Sequence, residues 1–208
     1  MPYSTTAVLR KMSPYNASIT SEQFLFYEMR TTAKLMAEGL SDEEIIKRIV
    51  EENLFQYPTE KSVRGIVLCC LRRLRCIDDA LINAIATESS TVSKQICLYA
   101  MMKQYRLVWD FMVGVIGEKY RTQNLSYGRI DMNTFFIGLQ EQDEGVATWS
   151  DNTISRIKQI LNKILVENEY LDSCSSDHLN AVMINSMLEN EIRLNNDEAA
   201  LPAFNCFN

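Results

Sequence analysis

The chain has a single histidine, His178, among its 208 residues. It stands beside Asp177 with no second imidazole and no cysteine-rich cluster near it, so a zinc site or a histidine-dependent hydrolase has no ligand set to build from. Missing too are the G-x-x-x-x-G-K-[ST] loop and the G-x-G-x-x-G turn, whose backbone amides cradle phosphate at a helix N-terminus. Nucleotide hydrolysis and dinucleotide binding are therefore disfavoured, no catalytic residue stands out, and neither a metal nor another cofactor is expected. The adjacent acids Glu43-Glu44, Glu51-Glu52 and Asp78-Asp79 do not alter this. Neighbouring helical residues point about 100° apart, and acids in a first turn are explained by the helix dipole.

Seven glycines and four prolines are few for a loop-rich all-β chain. Six cysteines lack paired C-x-x-C spacing and sit in apolar helical patterns, which predicts reduced, mostly buried thiols. The vicinal pair Cys69-Cys70 cannot easily close on itself along a helix. Apolar runs such as Ile66 to Leu71 are far too short to span a bilayer, and the leader MPYSTTAVLRKMSPY has no apolar signal core. A cytoplasmic, monomeric protein without a membrane partner is the expectation.

What is present is 47% apolar and 23% charged, a globular composition that predicts one compact all-α body across residues 1–208. The net charge is −6, unevenly spread: residues 166–208 hold eight acids against Arg193 alone, so the first 165 residues carry +1. Local charge governs binding more than the total does.

Punctuation divides the chain into helices. Thr20-Ser21-Glu22-Gln23 has capping-box spacing and opens a helix that Gly39 stops; Ser41-Asp42-Glu43-Glu44 is a second box, followed by Ile45, Ile46, Ile49 and Val50. Pro58 forces a connection over 53–58, and Thr59 caps the next helix. On that helix Val63, Ile66, Val67, Cys70 and Leu74 share one side. Lys61, Arg64, Leu68, Arg72 and Arg75 form a stripe opposite, with Arg73 off to one side. Asp78-Asp79 starts a helix ending near Glu88, and Ser89-Ser90-Thr91 opens a long apolar stretch to about Tyr120, a central core hairpin. Within it, Gly114 and Gly117 call for close packing or a kink, since each costs about 1 kcal/mol in a helix interior.

Asp131 is expected to cap Met132 to Gln142, Gly145 to interrupt, and Trp149-Ser150-Asp151 to lead into a helix from Thr153 to Val166. Ile154, Ile157, Ile160, Leu161, Ile164 and Leu165 make its apolar side. A brief wing is expected after Leu171, then an acidic amphipathic helix over about His178 to Leu194 and a docking tail from Leu201 to Phe207.

Two helix-turn-helix-like units result, at about 41–76 and 131–171, the second with a winged-helix character. In the first, Lys61, Ser62 and Arg64 would meet groove or phosphate and Arg72, Arg73 and Arg75 the backbone. In the second, Thr153, Ser155, Arg156, Gln159, Asn162 and Lys163 offer the donors and acceptors that base edges require. Spacing alone does not separate these from solvated helix faces, and the connection over 53–58 is longer than a three- or four-residue turn.

The succession YNASITSEQFLFYEMR, GLSDEEIIKRIVEENLFQ, LRRLR, YAMMKQYRLVWDF and VATWSDNTISRIKQILNKILVENEYL resembles the BrxA family, a core component of bacteriophage exclusion (BREX) defence systems, from about Tyr15 to Leu171. The resemblance implies an all-helical, non-enzymatic protein that binds double-stranded DNA through helix-turn-helix elements beside the BREX methyltransferase and ATPase. The other reading is an adaptor that docks BREX components without touching DNA. With about six phosphate contacts, DNA affinity would fall around a thousandfold between 50 and 200 mM salt.

Overall fold

A computed structural model describes residues 14–207, and within them the chain forms helices and no β-strand. The leader MPYSTTAVLRKMSPY lies mostly outside the described residues. The chain divides into two compact units: one runs from Glu22 to Gln104, the other joins the described segment up to Ser21 to the chain from Tyr105 onward.

The first unit holds α1 (Phe26–Ala37), α2 (Asp42–Glu51), α3 (Glu60–Leu74), α4 (Asp79–Thr87) and α5 (Ser90–Gln104). Its caps follow the sequence except at the start. Leu25, in left-handed geometry, precedes α1 with no side-chain cap. The Thr20 capping box does not form, because Ser18–Thr20 turn as a short 3-10 segment and the Thr20 hydroxyl donates back to Ala17 O at 2.8 Å. Gly39, at φ +84°, closes α1 in a conformation that L side chains rarely adopt. Ser41 and Glu44 make the full capping box at α2: Ser41 Oγ accepts from Glu44 N, and Glu44 Oε2 accepts from Ser41 N at 2.8 Å. Donation to Oε2 from Ser41 N and from Ser41 Oγ, each at 2.8 Å, holds the Glu44 carboxyl below its ordinary range.

The connection to α3 is built by Asn53, itself at φ +43°, whose side chain donates to Tyr57 O at 3.0 Å and accepts from Tyr57 N at 3.2 Å. It presents Phe55 to a core of Leu35, Ile45, Ile49, Val63, Val67 and Leu71. Fully burying an isoleucine or leucine is worth about 1.5–3 kcal/mol, so α2 and α3 are joined by packing rather than by the turn.

The second unit opens with a break. The long apolar stretch is not continuous: Tyr105 is extended and ends α5, and α6 (Arg106–Phe111) passes into a π-helical segment, Met112–Gly117, and then α7 (Glu118–Arg121). The Gly117 expectation holds as close packing, since a Cβ there would lie 2.8 Å from Pro202 Cβ. Next come α8 (Arg129–Gln142), α9 (Glu144–Ala147), α10 (Asp151–Glu167) and α11 (Ser186–Leu194).

Asp131 is not the cap of α8 but its third residue, whose carboxylate accepts from Gly128 N at 2.8 Å. The interruption falls at Asp143, which caps α9 by accepting from Val146 N at 3.0 Å, so Gly145 lies inside that short helix. Ser150 caps α10. The expected wing shrinks to one antiparallel bridge, Ser126 with His178, flanked by Tyr127 N donating to Asp177 O and Leu179 N to Leu125 O. The last helix starts only at Ser186, capped by Asn185. The tail docks as a 3-10 segment, Glu198–Phe204, burying Ala200, Leu201, Ala203 and Phe204, and Tyr170 donates its hydroxyl to Ala203 O at 2.9 Å.

Candidate nucleic-acid interfaces

The N-terminal half of α3 is exposed at Lys61, Ser62 and Arg64. Thr59 fixes this end by accepting from Ser62 N at 3.2 Å and sharing a hydrogen bond with Ser62 Oγ at 2.8 Å. Among the described residues Lys61 and Arg64 make no ion pair, and the exposed Gly65 beside them has open space where a side chain would stand. A phosphodiester could thus approach the α3 backbone closely. Leu68, 38% exposed, interrupts the row.

The C-terminal half is different. Arg72 pairs with Glu22 at 2.5 Å and Arg75 with Asp42 at 2.5 Å, both arginine side chains remaining half-exposed. Arg73 has no solvent exposure. Its guanidinium donates to Phe24 O at 3.0 Å and to Glu22 O, tying the segment before α1 to α3. Three residues after Cys70 and one before Leu74, its Cα lies toward the packed side, and a long stem carries the charge to backbone carbonyls. Arg73 therefore leaves the set of surface contacts. Burial pushes the Cys70 thiol of this helix well above its ordinary value and the Cys97 thiol on α5 up to about 12, which disfavours the reactive thiolate at both. Cys69 is buried with them, Cys76 and Cys206 are half-buried, and Cys174 is exposed, so the expectation of buried thiols holds for half of the six.

On α10 the predicted apolar side is buried in full, and Ser155, Arg156, Gln159 and Lys163 are exposed on the other. Thr153 shares a hydrogen bond with the capping Ser150 at 3.0 Å. Asn162 is half-buried and its Oδ1 accepts from Tyr127 OH at 2.8 Å, so that oxygen serves the fold. Lys158, absent from the predicted set, lies between them, donating to Asn133 Oδ1 at 2.7 Å with its ammonium 5.3 Å from the Phe136 ring. No sequence signal marks it, since its partner is 25 residues away on α8. The segment after α10 carries Asp172 and Asp177 but no cation before Arg193, a charge that opposes phosphate. The two candidate helices belong to different units.

The BrxA family model matches residues 13–196, through the end of α11. A Bacillus cereus (strain H3081.97) protein named BREX protein BrxA is 37% identical over 161 residues, covering 77% of this chain and 80% of its own length. The chain belongs to the BrxA family. Among BrxA relatives, a Paramagnetospirillum magneticum BREX protein BrxA is 23% identical over 184 residues, covering 88% of this chain and 92% of its own. A crystal structure of an uncharacterized protein from Magnetospirillum magneticum superposes with a TM-score of 0.79 at 22% identity, over 92% of this chain and 98% of its own, so the fold is shared over nearly the whole length. BrxA membership places the chain in a BREX phage-defence system and names no catalytic activity. No helix among the described residues is long and apolar enough to cross a membrane.

Proposed function

We propose that this BrxA-family chain is a non-enzymatic, double-stranded DNA-binding accessory protein of a BREX system, cytoplasmic, and binding mainly through phosphates. The observation that carries this reading is the exposed row on α3, where Lys61 and Arg64, without an ion pair among the described residues, lie beside the open Gly65. The exposed Arg156 and Lys163 on α10, with Ser155 and Gln159, supply a second and less basic contact helix. Charge neutralisation of phosphates gives affinity with little sequence preference. The test is a gel-shift titration of Lys61→Ala with Arg64→Ala beside Arg156→Ala with Lys163→Ala. Each pair should weaken duplex binding uniformly across sequences and flatten its salt dependence; unchanged affinity and slope in both would refute the reading.

The pairing of Arg72 and Arg75 with Glu22 and Asp42 favours a second reading, in which this face is already neutralised and the chain is an adaptor for the BREX methyltransferase or ATPase. Loss of co-purification with those proteins in variants that retain duplex affinity would select it.

A further inference from the structure

A cleft of about 800 Å³ lies in the second unit, with α6, the π segment and α7 on one side and α8 on the other. Lys119 meets Asp131 across it at 2.7 Å, which sets the direction: the start of α8 faces α7, and the end of α8, at Gln142, faces α6. At the α6 end Tyr15 donates to Asp110 Oδ2 at 2.6 Å, and the Arg106 guanidinium sits 4.0 Å over the Tyr15 ring while pairing with the same oxygen at 3.4 Å. Between these polar ends the lining is mainly apolar, with Trp109, Val115, Phe135 and Leu139 beside Thr134. Gly114 and Gly138 line the same stretch, and neither has an atom within 4 Å of where a Cβ would stand, so the fold itself does not require glycine there. Gly117, pressed against Pro202, is the contrast.

The length suits a short segment. From Asp131 to Gln142 the α8 wall is roughly 17 Å long, and an extended chain of about five residues spans it at roughly 3.3 Å each. Charge selects further. The lining holds Asp110, Glu118 and Asp131 against Arg106 and Lys119, and both cations already face a carboxylate. Both bonds to Asp110 end on Oδ2, which leaves Oδ1 an open acceptor among the described residues. An incoming anion finds no uncommitted cation, and an incoming ammonium or guanidinium finds an acceptor.

We infer that this cleft is a docking site for an extended segment of a partner protein, which seats a large apolar side chain over Gly114 and Gly138 and places an adjoining lysine or arginine on Asp110. The site stands apart from the DNA-contact reading. Random seven-residue peptides displayed on phage and selected on the full-length protein should enrich for an apolar residue within two positions of a basic one. An enriched peptide should shift the emission of Trp109 in the Trp149→Phe protein. Gly138→Leu, or Thr134→Trp on the exposed wall should the first misfold, should weaken it more than tenfold with the thermal midpoint not lowered and duplex affinity unchanged. Asp110→Asn should cut the preference for basic over acidic peptides to less than twofold. The inference is overturned by no enrichment, by enrichment of acidic peptides, or by binding that survives both wall variants. Self-association abolished by Gly138→Leu would also overturn it, because the occupant would then be a second copy.

Discussion

Removing two acids should turn α3 into a stronger DNA contact. Glu22→Gln with Asp42→Asn removes the carboxylates that pair with Arg72 and Arg75 at 2.5 Å, both arginine side chains being half-exposed. Such pairs are worth about 0.2–1 kcal/mol, the amount that a phosphate must overcome to recruit each arginine. Removing both pairs should tighten duplex binding by roughly 2- to 30-fold. The salt dependence is more diagnostic. Lys61 and Arg64 contribute about −1.8 to the slope of log K against log salt; with four α3 cations engaged that contribution is about −3.6, so the α3 share of the affinity loss between 50 and 200 mM grows from about 12-fold to about 150-fold. Fluorescence anisotropy on a labelled 20-base-pair duplex at three salt concentrations measures both. Glu141→Gln with Glu144→Gln, on exposed acids of the other unit, is the charge-matched control. An equal gain in the control, or a slope unmoved by the release, would refute the reasoning.

Arg73→Ala should destabilise the protein by about 3 kcal/mol in urea denaturation, since Phe24 O and Glu22 O lose a charged donor; a change under 1 kcal/mol would contradict its role as a tie. Gly117→Ala should cost about 1–3 kcal/mol through the Pro202 contact, while Gly138→Ala, with open space at its Cβ, should gain up to about 1 kcal/mol, and calorimetry of the two reads the opposite signs. For Cys97, whose folded pKa is raised from 9.0 to about 12 by burial, the protonated form is the one that the fold favours. Stability from this group is full below pH 9 and is lost as pH rises toward 12, about 2 kcal/mol by pH 10.5. Denaturation at pH 8 and 10.5 should show a smaller alkaline loss in Cys97→Ala than in the native protein.

Local rules made the helices legible where the signal is a neighbour in sequence. Ser41 with Glu44, Thr59 with Ser62, Gly39 at its positive φ and the six buried aliphatics of α10 all act within one or two turns. What escaped depends on distant partners. Arg73 reads as one cation among several in LRRLR until the carbonyls of Glu22 and Phe24, some fifty residues earlier, are known to receive it. The same holds for Arg72 with Glu22, Arg75 with Asp42 and Asn162 with Tyr127. Thr20 shows the reverse error, a valid local motif displaced by a tighter local turn.

The π segment Met112–Gly117 also acts as a phase shifter. A π turn accommodates about one residue more than an α turn, so everything after it is rotated by about 100° relative to an uninterrupted α-helix. That rotation puts Lys119 in line with Asp131 and Ser126 O, and sets Gly117 against Pro202. Deleting Val113 would restore α geometry at small local cost and carry those three contacts off their partners together. Chain length in this one turn is therefore as much a determinant of the second unit as the identity of any residue in it.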